Sequence, residues 1–128
     1  GSLSEMQIDY VNLFVSDLNQ AVDFYQEKLG LAPQFSEPQF GDASFDVGSV
    51  RLGIAVADDT QQALVGRHTG IGFTVKNLQQ VYERLATLGV TLLMLPTKQS
   101  WGGFMAMFND PDGNHFYLDQ MEVMHPLE

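Results

Sequence analysis

The sequence predicts an α+β fold made of two βαβββ modules, and three observations predict it. Residues 11–31 read VNLFVSDLNQAVDFYQEKLGL and residues 71–90 read IGFTVKNLQQVYERLATLGV, so one pattern occurs twice, about sixty residues apart. Val11 matches Ile71, Leu13 matches Phe73, Val15 matches Val75, Asp17 matches Asn77 and Leu18 matches Leu78. Each copy is followed by three strand-like runs, and a polar stretch at residues 58–68 separates the two halves. A doubled unit of this kind predicts two similar half-domains around a shared cleft, where a small-molecule site would sit.

The elements follow in order. Residues 6–15 alternate as a strand and lead into Asp17, a good helix N-cap with Gln20 at the capping-box offset. Leu18, Ala21, Val22, Tyr25 and Leu29 then fall on one helical face, and Gly30 stops the helix. In the second copy Asn77 caps, Gln80 sits at the same offset, and Leu78, Val81, Tyr82, Leu85 and Leu88 form the stripe before Gly89. Strands are expected at 32–40, 43–47 and 50–57, and again at 90–95, 103–109 and 115–121. The 58–68 stretch has room for a short helix. Asp110-Pro111-Asp112-Gly113-Asn114 is a tight hairpin turn, because proline presets φ and glycine supplies a positive one.

The length of 128 residues suits one domain, placed at residues 6–121 with repeats at about 6–57 and 69–121. Gly1-Ser2 reads as a remnant of an expression tag and is set aside. A hydrophobic share of 45% excludes a disordered chain, and no apolar run is long enough for a membrane helix. With no cysteine there is no disulfide, thiolate zinc site or cysteine nucleophile, which fits a cytoplasmic protein. A formal charge of −10 argues against nucleic acid and anionic membranes as partners and is compatible with a neutral or cationic small ligand. There is no phosphate-binding glycine loop, basic patch or Ser-His-Asp order.

The doubled βαβββ pattern, the run SDLNQAVDFYQEKLGL and the motif FNDPDGNHFYL together resemble the vicinal oxygen chelate superfamily, which holds glyoxalases, bleomycin-resistance proteins and extradiol dioxygenases. The resemblance runs from Ile8 to about Gln120 and is specific for the fold rather than for an activity. It implies two βαβββ modules forming a half-open barrel around a pocket, and a homodimer. Metal-dependent members hold the ion with His or Glu on four strands. The matching positions here are Tyr10, Gly53, Gly70 and Tyr117. Glycine offers no donor atom and neutral tyrosine is a poor ligand, so the usual metal site reads as absent and no cofactor is expected. A shifted metal site at His68, His115 and Asp119 is the alternative, since residues two apart on a strand share a face.

By the same parity Tyr10, Asn12, Phe14, Arg51, Gly53, His115, Tyr117 and Asp119 line the concave face. Gly53 and Gly70 leave room there, either for an organic ligand or for large neighbouring side chains. Arg51 either clamps a carboxylate or phosphate or keeps its head in water. The resemblance places Trp101, beside Gly102 and Gly103, near the pocket mouth, as a stacking lid or a loop anchor. Met105 and Met107 share one face of their strand, opposite Phe104, Ala106 and Phe108. Two functions follow from these residues. One is metal-independent binding of a small organic molecule, in the manner of the bleomycin-resistance branch. The other is a lyase, isomerase or dioxygenase on the shifted site. A small interaction module with a vestigial pocket is the third reading.

Overall fold

The computed structural model describes residues 5–122, so Gly1-Ser2 lies outside the described residues. The chain divides between Val65 and Gly66 into two compact units. In the first unit, strand β1 (Tyr10–Val15) leads to helix α1 (Leu18–Asp23), which continues as a π-helical turn (Phe24–Lys28). Strands β2 (Ala32–Glu37), β3 (Asp42–Val47) and β4 (Val50–Val56) follow. The second unit runs β5 (His68–Val75), α2 (Leu78–Thr87), β6 (Thr91–Lys98), β7 (Phe104–Asn109) and β8 (His115–Gln120). Each unit is therefore the βαβββ module that the repeat predicts.

The two sheets have equivalent strand orders, β1-β4-β3-β2 and β5-β8-β7-β6. In both, the first strand pairs parallel with the last, while the remaining pairs are antiparallel. A parallel partner needs a crossover, which the helix supplies. Strand β1 is shorter than the expected 6–15 because β4 begins at Val50. The strand pairing starts at Tyr10 opposite Arg51, whose N–H bonds the Asp9 carbonyl at 2.9 Å. Strand β2 stops at Glu37 because Pro38 has no N–H to give and opens a 3-10 turn (Pro38–Phe40). The expected short helix in the linker is a 3-10 turn (Gln62–Leu64).

Both helices start on the predicted caps. The Asp17 and Asn77 side chains accept from the Gln20 and Gln80 N–H groups at 3.0 and 3.1 Å. Such caps are each worth about 1 kcal/mol. The helix ends differ. From Leu18 to Gly30 the first copy carries one residue more than the second does from Leu78 to Gly89. The extra residue is absorbed as the π turn, where Leu29 N–H donates to the Phe24 carbonyl, five residues back. Phe24 joins Leu18, Ala21 and Tyr25 in the core, whereas Val22 and Leu29 of the predicted face are half-buried. In α2 the stripe holds for Leu78 and Leu85, but Leu88 at the helix end is 41% exposed.

Alternation along the strands sends one set of side chains to the helix side of each sheet. In the first unit Tyr25 packs edge-on to Phe24 and tilts against Phe45. In the second, Phe73, Phe108 and Phe116 form one aromatic cluster with centroids 5.2–5.9 Å apart. The other set, on the opposite face, is left for function.

The β7–β8 turn is a buried polar knot. Asp110 Oδ1 accepts from the N–H groups of Asp112 and Asn114, and Asn114 Nδ2 donates to Asp110 Oδ2 at 2.8 Å. Asn114 Oδ1 accepts from the N–H groups of Gly66 and Arg67 at 2.9 and 3.2 Å, tying the turn to the entry of β5. Gly66 has φ +80°, and a Cβ there would lie 2.9 Å from the Asp112 carbonyl oxygen. Asn114→Ala removes the acceptor of two part-buried backbone donors and leaves the buried Asp110 carboxylate without its amide donor. It is expected to cost about 3 kcal/mol, read as a lower urea midpoint with an unchanged m value.

Candidate functional site

In the first unit, Tyr10 and Asn12 from β1, Asp42 and Ser44 from β3, and Arg51 and Gly53 from β4 point away from the helix. They line a cleft of about 250 Å³ that Phe35 of β2 borders. The register explains the grouping. Tyr10 lies beside Arg51 and Asn12 beside Gly53 across the parallel pair, and Ser44 lies beside Gly53 on the other side. The Ser44 hydroxyl donates to Gln34 Oε1 at 3.0 Å, bringing β2 against the cleft. Arg51 lines the cleft, and among the described residues its guanidinium has no ion pair or hydrogen bond.

The space over Gly53 is not empty. A Cβ at that position would land on Oδ1 of Asn12, whose amide lies across the glycine. The second unit repeats the arrangement. The glycine opposite Tyr117 is Gly72, and a Cβ there would lie 3.1 Å from Asp119 Oδ2. In each half, then, a polar side chain on the neighbouring parallel strand covers a glycine on the site face.

Gly72 takes this place, rather than the predicted Gly70, because β5 is bulged. His68 pairs with His115 and Gly72 with Tyr117, so two additional residues are accommodated on β5. Gly70 sits at the bulge with φ +71°, and nothing approaches its Cβ position within 4 Å. The bulge is held by its own side chains. Gly70 N–H donates to His68 Nδ1 at 3.1 Å, Ile71 N–H donates to Thr69 Oγ1, and the Thr69 hydroxyl donates to the His115 carbonyl at 2.6 Å.

His68, His115 and Tyr117 come together on this face. The His68 ring meets the His115 ring at 5.9 Å and the Tyr117 ring at 5.0 Å between centroids, both edge-on. The Nδ1 atom of His115 bonds Oδ1 of Asn109, its antiparallel partner on β7. Met107 lies opposite Tyr117, and Met105 opposite Asp119. Asp119 does not join the histidines: among the described residues no three His, Cys, Asp or Glu side chains gather closely enough to hold a metal ion. The His68 ring is also turned against such a role. Its Nδ1 lone pair receives the Gly70 N–H, so the neutral ring carries its proton on Nε2, the atom a metal would need.

The family's metal therefore does not fit the residues present. The four positions supply two phenols and no imidazole or carboxylate, and Asn12 occupies the space over Gly53.

Of the predicted site residues, Tyr10, Asn12, Arg51 and Gly53 meet in the first unit, and His115, Tyr117 and Asp119 line up along β8 of the second. Phe14 does not line the cleft; it is half-buried and bridges to Val65. Trp101 lies 66% exposed with its ring folded over Gly103, which is buried and has no room for a side chain. Phe35, Asp42, Ser44 and Asn109 were not predicted. Ser44 and Asp42 were within reach of strand parity, and Asn109 follows from a five-residue turn between β7 and β8. Phe35 was hidden by the irregular pairing between Pro33 and Phe35.

The chain belongs to the glyoxalase/bleomycin resistance protein/dioxygenase superfamily, whose family model matches residues 7–118. The uncharacterised protein YetH of Bacillus subtilis (strain 168) is 30% identical over 122 residues, covering 89% of this chain and 98% of that protein. Among solved structures, a member of the same superfamily from Sphaerobacter thermophilus DSM 20745 superposes with a TM-score of 0.78 at 26% identity, over 91% of this chain and 98% of the other. TnmS3, an antibiotic binding protein from Streptomyces sp. CB03234, superposes with a TM-score of 0.79 at 25% identity, over 94% of this chain and all of the other.

Two outcomes follow from the covered glycines. Gly53→Ala displaces only the end of an exposed side chain, so stability is expected to change by less than about 1 kcal/mol while the Asn12 amide is driven off the strand face. Amide chemical shifts around Asn12 check this. Burial raises the Asp119 carboxyl above its ordinary value of 3.8. The folded state then binds this proton more tightly than the unfolded chain, so the group's contribution to stability declines as pH rises from near 3.8 through the raised value. Asp119→Asn is expected to raise the melting temperature at neutral pH, and the gain should vanish once pH falls below the ordinary carboxylate range.

Proposed function

We propose that this superfamily member binds a small, partly aromatic organic molecule on its strand faces without a metal ion, as a sequestering protein. The observation that carries the reading is the first-unit cleft. It has an aromatic border of Tyr10 and Phe35 and a floor of convergent polar groups from Asn12, Asp42, Ser44 and Arg51. An apolar border with a few fixed polar groups is the usual makeup of a ligand site. At about 250 Å³ the cleft is below the usual range for a whole drug-sized ligand, so it takes one end of such a molecule. The similarity to TnmS3, an antibiotic binding protein, supports an antibiotic as the ligand class. The misfit between the donor set and a metal supports binding over metal-dependent turnover, because sequestration needs no catalyst. Arg51 contributes donors for an acceptor group on the ligand, and the charge of −10 favours a molecule that is neutral or cationic overall. The reading includes a homodimer acting in the cytoplasm, with sedimentation as the test of the dimer.

Titration calorimetry with bleomycin and a set of planar polycyclic aromatic antibiotics, in EDTA, tests the function. Saturable binding of at least one compound that survives the chelator is expected. Tyr10→Ala should then weaken it about tenfold or more, equivalent to about 1.4 kcal/mol. Binding that appears only with an added divalent ion, or no binding across the set, would reject the proposal.

A further inference from the structure

The second unit holds a polar pair that the cleft of the first does not use. His68 and His115 both spend Nδ1 on the protein, but in opposite senses. His68 Nδ1 accepts the Gly70 N–H at 3.1 Å, which leaves the ring proton on Nε2. His115 Nδ1 faces Oδ1 of Asn109, an acceptor, so that ring carries its proton on Nδ1 and presents a lone pair at Nε2. The tautomer of a neutral imidazole is set by the bond its other nitrogen makes. The two rings, 5.9 Å apart, therefore present one donor and one acceptor side by side. Tyr117 packs against the exposed His68 ring at 5.0 Å, and Met107 lies opposite Tyr117 in the register.

We propose that His68 and His115 form a recognition site for a carboxamide or lactam, a flat group that carries a carbonyl oxygen beside an N–H. The His68 Nε2–H donates to the carbonyl oxygen, and His115 Nε2 accepts the N–H. The Tyr117 ring gives the flat group its apolar contact. Asn109 is a positioning residue, since it touches the ring rather than the ligand and holds His115 in the accepting tautomer. The carboxylate Asp119 stands further along β8, opposite Met105. A ligand that lacks either complement makes one hydrogen bond to the pair instead of two and is held more weakly. This inference does not depend on whether the first-unit cleft takes an antibiotic.

The test uses intact protein with 15N-labelled histidine, with signals assigned by His→Ala variants, and benzamide as the probe. Above the imidazole titration range, long-range proton–nitrogen spectra should find His68 protonated on Nε2 and His115 on Nδ1. Benzamide should shift both Nε2 signals saturably, with the roughly millimolar affinity of a small fragment. N,N-dimethylbenzamide, which has no N–H, should bind at least tenfold more weakly. Asn109→Leu should mix the His115 tautomers and weaken benzamide without a matching change at His68, a signature that general loosening of the fold would not give. The same tautomer at both rings, no saturable benzamide shift, or equal binding of the dimethyl compound would overturn the proposal. Each of those results leaves the first-unit titrations to stand or fall separately.

Discussion

The buried pair Asp110 and Asn114 carries more of the second unit than its size suggests. A parallel strand pair has no hairpin to set its register, so something else must align β5 with β8. Here one side-chain amide does it, accepting from Gly66 and Arg67 at the entry to β5 while its nitrogen and backbone are held by Asp110. The Arg67 carbonyl then receives the His115 N–H at 2.9 Å, the first rung of the pair. Two buried polar residues are tolerated because each finds several partners, and the turn that they close aims β8 at β5. The histidine pair and the bulge that shapes it sit immediately beyond this knot.

On the site faces a different economy operates. Metal-binding relatives need strong donors on four strands, and this chain places glycine at two of those strands with polar side chains folded over them. Asn12 over Gly53 and Asp119 over Gly72 keep the faces polar without supplying a coordination set. Asn12 is neutral and exposed. Asp119 is a partly desolvated carboxylate, and its raised proton affinity records the difference. The two glycines are thus covered by an amide in one unit and a carboxyl in the other.

The two modules have diverged in how they end their helices and close their sheets. One additional residue in the first copy became a π turn that brings Phe24 into the core beside Tyr25. In the second copy the surplus lies in β5, where it became the bulge between His68 and Gly72. Each insertion was absorbed locally because the flanking packing, Tyr25 on Phe45 in one unit and Phe73 on Phe108 and Phe116 in the other, admits no sliding of the whole element.

The sequence by itself determined the fold class, the doubled module, both helix caps and the turn at residues 110–114, because each rests on contacts between near neighbours or on periodic burial. It also placed tyrosine and glycine, not imidazole or carboxylate, at Tyr10, Gly53, Gly70 and Tyr117, which is a matter of residue type alone. Strand parity brought Tyr10, Asn12, Arg51 and Gly53 to one face, since an unbroken strand alternates without exception. Parity failed at β5, where the bulge replaced Gly70 with Gly72, and in α1, where the π turn admitted Phe24. Both are changes of one or two residues in register that leave composition and periodicity almost untouched. Only the tertiary structure decided the remainder: that Asn12 and Asp119 cover the glycines, that Asn109 faces His115, and that the Gly70 N–H meets Nδ1 of His68. Those features depend on which residue of a distant strand lies alongside, and a single chain read in order does not contain that distance.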